Sequence, residues 1–157
     1  MNWFFFGSLM DPQVLEVVVG RYVHEEDCHP AELPGYRRVR VRGESYPALV
    51  QTPGESVDGL MVEGLSAEEG LRVIYFEGDE YRPEEIQLQL KNAKPVSAFA
   101  FLAGDELPLT EEDWALERWA EQELDDFLPR AEAWMEGYGD DRSVADNDAI
   151  WGARGAD

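Results

Sequence analysis

Phe4-Phe5-Phe6-Gly7-Ser8-Leu9-Met10-Asp11-Pro12 is the stretch from which the fold can be read. Residues 2–6 are apolar, mostly aromatic and ended by Gly7-Ser8, which predicts a short buried strand. Asp11-Pro12 then opens a helix, with Asp11 as N-cap and Pro12 at the first helical position, where the missing N–H costs nothing. Val14, Leu15, Val17, Val18 and Val19 give that helix a wide apolar face, and Gly20 closes it. A strand that turns through Gly-Ser into a helix start exposes backbone N–H groups without a chain partner. Such amides can receive an anionic or carbonyl oxygen. An ordinary strand-to-helix turn has the same pattern, so the stretch does not by itself identify a site.

Outward from this stretch, residues 21–35 read as extended or irregular and end in Leu33-Pro34-Gly35. Tyr36 to Arg42 alternate, with Val39 and Val41 on one side and Arg38, Arg40 and Arg42 on the other, as in a strand with one wet face. Gly43-Glu44-Ser45 turns the chain, Tyr46 to Gln51 returns, Pro53-Gly54 turns again, and Val57 to Leu65 forms another strand. Ser66-Ala67-Glu68-Glu69 is a capping box that starts a helix through Leu71, Ile74 and Tyr75, with Gly78 as its stop. Strands are expected near 85–90 and 96–102. Thr110-Glu111-Glu112-Asp113 reads as the cap of a long helix, which Pro129 should kink or restart. Leu116, Trp119, Leu124, Phe127, Leu128, Ala131, Trp134 and Met135 line one side of it.

About six strands, largely consecutive, and three helices predict an α+β fold with a mixed sheet curled on itself. The expected organisation is a single domain over residues 1–136, with a core at 1–103 and an acidic helical extension at 110–136. An acidic, Gly- and Asp-rich tail follows at 137–157.

The chain has 157 residues and a net charge of −21, with 44% hydrophobic residues that include 5 Trp, 6 Tyr and 7 Phe. That supports one packed domain and argues against a disordered chain. The charge is uneven: −2 over residues 1–50, −6 over 51–100 and −13 over 101–157. Such a surface repels phosphate backbones and anionic lipids, so nucleic-acid and membrane partners are not expected. Cys28 is the one cysteine, so no internal disulfide forms, as suits a reducing compartment. The apolar start carries no Lys or Arg and is broken by Gly7-Ser8, unlike a signal or spanning segment. A cytoplasmic location is expected.

Ile74-Tyr75-Phe76-Glu77-Gly78-Asp79-Glu80-Tyr81-Arg82 is the second stretch with chemical content. Glu77 falls at the C-terminal end of its helix, the unfavourable end for a negative charge. Apolar Tyr75 and Phe76 precede it, and Asp79 and Glu80 follow. Desolvation, the helix dipole and like charge each favour its protonated form, as an acid/base carboxyl requires. A surface glutamate at a helix end has the same local sequence.

Taken together and in order, these stretches resemble the gamma-glutamylcyclotransferase family. Its members carry a Tyr-Gly-Ser or Tyr-Gly-Thr loop after the first strand, and later a helix ending in Glu-Gly followed by a Tyr. Here those are Phe6-Gly7-Ser8-Leu9-Met10 and Phe76-Glu77-Gly78-Asp79-Glu80-Tyr81-Arg82. Leu33-Pro34-Gly35-Tyr36-Arg37, Tyr46-Pro47-Ala48-Leu49 and Val57-Asp58-Gly59 are similar to the family's middle strands, so the resemblance spans roughly 2–102. It implies a small mixed β-barrel with helices packed outside. It also implies an acyl-transfer reaction in which the α-amine of a γ-glutamyl group attacks its own γ-carbonyl and releases 5-oxoproline. Glu77 would be the catalytic carboxylate. Phe6, Gly7, Ser8, Leu9 and Met10 would hold the γ-glutamyl moiety, and Tyr81 could add a hydroxyl nearby. No metal or other cofactor is needed, and the partner is a small γ-glutamyl molecule.

One departure stands out: Phe6 occupies the place of the family's Tyr and lacks its hydroxyl. It supports an alternative, a non-catalytic module of the same fold that binds a small metabolite or a partner. His24-Glu25-Glu26-Asp27-Cys28-His29 matches no standard zinc spacing, and Cys28 lacks the partners of a nucleophile. Arg37, Arg38, Arg40 and Arg42 are expected to neutralise the acidic helix at 110–126 rather than guide an anionic substrate. Trp114, Trp119 and Trp134 read as packing anchors.

Overall fold

The computed structural model describes residues 1–138 except 45, 79–80, 92–93 and 104–107, with backbone alone for Tyr81 and Ala103. The expected tail therefore lies outside the described residues from 139 onward.

Six strands form one sheet: β1 (Trp3–Phe5), β2 (Cys28–Val41), β3 (Pro47–Val62), β4 (Tyr81–Leu90), β5 (Val96–Ala103) and β6 (Leu109–Asp113). The order is β3-β1-β5-β4-β2-β6, and β3 also pairs with β2. That extra pairing closes β1, β5, β4, β2 and β3 into a five-stranded barrel and leaves β6 as an added strand on β2. β1 and β5 run parallel, whereas the other pairs are antiparallel. Helices α1 (Pro12–Val19), α2 (Ala67–Glu77) and α3 (Leu116–Glu136) pack outside, so this is an α+β barrel fold.

Strand alternation divides the aromatic run of β1 between two cores. Phe4 and Phe6 join Ala31, Leu33, Leu49, Val57, Met61, Leu88, Ala98 and Ala100 in a cluster that draws on all five barrel strands and no helix. This fills the barrel interior, as five strands leave room only for side chains. Trp3 and Phe5 turn the other way, into a cluster with Leu15, Val18, Val73, Ile74, Phe101, Trp119 and Met135, which joins the sheet to all three helices. Trp3 stacks on Phe101 at 5.3 Å between ring centroids.

The helix caps follow the sequence. The Asp11 side chain accepts from the amides of Gln13 (2.9 Å) and Val14 (3.2 Å). In the capping box, Ser66 Oγ accepts from the Glu69 amide at 3.1 Å, and Glu69 accepts from the Ser66 amide at 2.9 Å. Gly20 ends α1 at φ +91, and the Arg72 guanidinium, from α2, donates to the Val18 carbonyl at 2.8 Å.

Four expectations differ from the structure. The chain from Pro47 to Val62 is one strand rather than two, because Pro53-Gly54 falls in a bulge opposite Pro34–Tyr36 where the register shifts. β2 likewise begins at Cys28 and runs through Leu33-Pro34-Gly35. Leu109–Asp113 is strand β6, not the start of the long helix. Thr110 donates to the Arg40 carbonyl at 2.7 Å, and Arg37 binds Asp113 at 3.1 Å, so pairing with the basic strand overrides a local cap signal. Helix α3 starts at Leu116 and passes through Pro129 unbroken. Pro129 is exposed, so its missing backbone bond faces water, where it costs least.

Candidate active site

A cavity of about 370 Å³ lies where the 6–9 turn, the end of α2 and the second half of α3 meet. Phe6, Gly7, Ser8, Leu9 and Glu77 all line it, so the two stretches singled out in the sequence share one space. Met10 follows the turn but packs against the helix-side core and is not among the lining residues. The Tyr81 side chain lies outside the described residues.

The turn is built for its place. After β1 the chain makes a 3-10 turn at Ser8–Met10, in which the Met10 amide donates to Gly7 O and the Asp11 amide to Ser8 O, both at 3.0 Å. The amides at the start of such a turn, those of Ser8 and Leu9, have no partner within it. A Cβ on Gly7 would stand 3.2 Å from the Pro47 ring, so glycine lets β3 approach closely. Before the turn, the Phe6 carbonyl accepts from Arg38 Nη1 at 3.0 Å. Arg38 also donates to the carbonyls of Asp58 (2.9 Å) and Trp114 (3.2 Å). One guanidinium thus ties together β1, β3 and the approach to α3. Its pKa is lowered by burial, despite the nearby carboxylates.

Glu77 is the last residue of α2 and is half-buried. Gly78 follows at φ +81, ψ −177, a conformation essentially restricted to glycine. The glycine lets the chain leave the helix at once, which keeps Glu77 at the cavity edge. Phe76 and Phe101, the latter on the outer face of β5, add apolar wall beside it.

The third wall comes from Phe127, Arg130, Ala131 and Trp134, spaced i, i+3, i+4, i+7 along one face of α3. Sequence reading took the three apolar members of this stripe as packing positions and passed over Arg130. Their helical spacing was the signal available. Trp134 is 51% exposed. It stacks on Tyr75 at 5.4 Å between centroids and donates its indole N–H to the Tyr75 carbonyl at 3.3 Å, joining α3 to α2 beside Glu77. Trp114 and Trp119 are buried and serve as packing anchors.

The other sequence signals find structural partners. Arg37 binds Asp113, and Arg40 lies 3.7 Å from Glu112, so these arginines meet the acids of β6 rather than those of the helix. Arg38 serves the turn instead. His29 Nε2 lies 3.1 Å from Glu63 across the β2–β3 pair. The Cys28 thiol is pushed up by burial and by Asp27 and Glu25, which disfavours the reactive thiolate. No described helix is long and apolar enough to cross a membrane.

Comparison with known proteins gives a consistent picture. The sequence profile of the family described as "Gamma-glutamyl cyclotransferase, AIG2-like" matches residues 3–121. Protein AIG2 C of Arabidopsis thaliana is 26% identical over 129 residues, covering 81% of this chain and 76% of that protein. AIG2-like protein A of the same plant is 34% identical over 80 residues, 51% of this chain and 47% of that one. Among solved structures, an Arabidopsis thaliana protein determined in solution superposes with a TM-score of 0.64 at 24% identity, over 92% of this chain and 88% of that one. A structure described as "Gamma-glutamyl cyclotransferase" superposes at 0.50 with 13% identity, over 96% and 97% of the two chains. At such identities the structural likeness establishes the fold. The match over most of the sequence establishes the lineage: this chain belongs to the AIG2-like gamma-glutamyl cyclotransferase family.

Proposed function

We propose that the protein is a γ-glutamyl cyclotransferase with Glu77 as its general acid/base. The observation that carries this reading is that Glu77 and the 6–9 turn border the same cavity. The substrate's α-ammonium gives a proton to the Glu77 carboxylate. The freed amine attacks the γ-carbonyl carbon, forming the ring N–C bond and a tetrahedral oxyanion. As the oxyanion collapses, the bond to the leaving amine breaks, Glu77 returns the proton to that nitrogen, and the second proton shed by the ring nitrogen passes by the same carboxylate to the amine, which leaves as an ammonium. The products are 5-oxoproline and a free amine or amino acid, with no net proton change and no water consumed.

The parts suit this reaction. Because ring closure is unimolecular, the protein mainly has to fold the substrate and stabilise developing charge. The amides at the start of the turn are donors for an oxyanion or carboxylate.

The test is 5-oxoproline release from a panel of γ-glutamyl amines and peptides. Glu77→Gln should lower turnover by about 10²–10⁴-fold with the fold retained, as judged by circular dichroism. Near-normal turnover in that variant would remove Glu77 from the mechanism. The absence of product across the panel would favour a binding module instead, the reading that Phe6, buried at 7% exposure and lacking a hydroxyl, speaks for.

A further inference from the structure

Among the described residues lining the cavity, Arg130 is the only cationic side chain and Glu77 the only anionic one. Arg130 runs against its surroundings. α3 carries seven acidic and two basic residues, in a chain of net charge −21. A cation at the cavity-facing position of so acidic a helix gives that wall a charge opposite to the helix around it. Its guanidinium is braced: Nε donates to the Asp126 carbonyl at 3.2 Å, and the group lies 5.9 Å from the centroid of the Phe127 ring. The four N–H donors on its Nη atoms form the fork that grips a carboxylate through two parallel bonds.

Location assigns the carboxylate. Arg130 is exposed and also borders a polar groove of about 750 Å³ with Arg118 and Glu123, so it stands where the cavity opens. The turn end, with buried Phe6 and Leu9, is the closed side. A γ-glutamyl group placed against the turn and Glu77 directs its leaving amine toward the mouth, past Phe127 and Trp134.

From this we infer that Arg130 binds a carboxylate on the leaving amine, making it a specificity residue for γ-glutamyl amino acids over γ-glutamyl amines that lack an acid group. Phe127 and Trp134 favour leaving groups with an apolar or aromatic side chain. The inference rests on the cyclotransferase reading of the same cavity. Arg130 lies beyond residue 121, where the family match ends.

The test uses a matched pair, γ-glutamyl-phenylalanine and γ-glutamyl-phenethylamine, which differ by one carboxylate. Binding is measured by calorimetry on the Glu77→Gln variant, so that turnover does not interfere. The acid should bind at least about tenfold tighter, the size expected for a charge-assisted hydrogen bond. Adding Arg130→Gln should collapse the ratio toward one, and Arg130→Lys should retain part of it. Equal affinities, failure of both to bind, or a preference that survives Arg130→Gln would overturn the inference. So would an equal loss for both compounds, which would mean that Arg130 holds the glutamyl carboxylate common to them. Product release by the unmodified protein is scored separately. A carboxylate preference without 5-oxoproline would sink the cyclotransferase reading and leave the Arg130 subsite standing, and 5-oxoproline without the preference would do the reverse.

Discussion

The two sides of the cavity are built by different means. On the side formed by the barrel and the end of α2, backbone geometry leaves little freedom. A Cβ on Gly59 would stand 2.5 Å from the Phe4 ring and 2.6 Å from the Phe5 carbonyl, and Gly78 holds a backbone conformation that other residues resist. On the α3 side, the wall is a stripe of side chains on a helix, with Arg130 and Trp134 exposed. Side chains on a helix face can be exchanged without moving the backbone, whereas a turn fixed by close approach cannot. On the proposed function, the contrast separates two tasks: reactive groups sit where the main chain is over-determined, and selectivity sits where the side chains are replaceable.

Substitutions should reproduce that division. The largest effect belongs to Glu77→Gln, whose expected loss of about 10²–10⁴ in turnover corresponds to roughly 3–5 kcal/mol of transition-state stabilisation. It should appear in kcat, and a loss confined to KM would blur the contrast. Next is Gly59→Ala, which drives a methyl into the Phe4 ring and a backbone oxygen and should destabilise the fold by about 1–3 kcal/mol in urea titration. Unchanged stability would show that β1 and β3 can part without cost.

A smaller effect follows from acid. Burial pushes Glu69 up, but its bonds from Arg21 and the Ser66 amide outweigh that and hold it below the ordinary value of 4.5. A carboxyl depressed in the folded state contributes stability in full above its unfolded value, and the contribution fades as pH falls through the folded one. The unmodified protein should therefore lose melting temperature below about pH 4.5 more steeply than Glu69→Gln, which lacks that group. Parallel curves would mean that the α2 cap carries no such linkage. The smallest effect is expected for Trp134→Ala, half-exposed on α3. It should raise KM several-fold, lower kcat less, and cost under about 1 kcal/mol of stability. A collapse in kcat would move Trp134 to the catalytic side of the cavity.

Much of this was legible in the chain. The β1–turn–α1 unit, the Ser66–Glu69 box and the Gly78 stop are local devices whose residues lie within a few positions of one another, and each is found where the pattern put it. The readings that changed depended on distant partners. Thr110-Glu111-Glu112-Asp113 has a helix cap's composition, but Arg37 and Arg40 were available across the sheet, and pairing prevailed. Arg38 alternates with Val39 as a wet-face residue would, yet it turns toward three backbone carbonyls. Pro53-Gly54 is turn chemistry that the long β2–β3 ribbon absorbed as a bulge.

By itself, the sequence determined the strand-to-helix turn at 6–12, the caps and stops of the first two helices, and that a carboxylate and an amide-bearing turn are present. Those properties come from side-chain shape, backbone freedom and hydrogen bonds between near neighbours. Only the tertiary structure decided that the turn and Glu77 share a cavity, that Arg38 fastens the turn from another strand, and that α3 brings Arg130 to its mouth. Each of these depends on closure of the barrel, which sets side by side residues that the chain holds far apart.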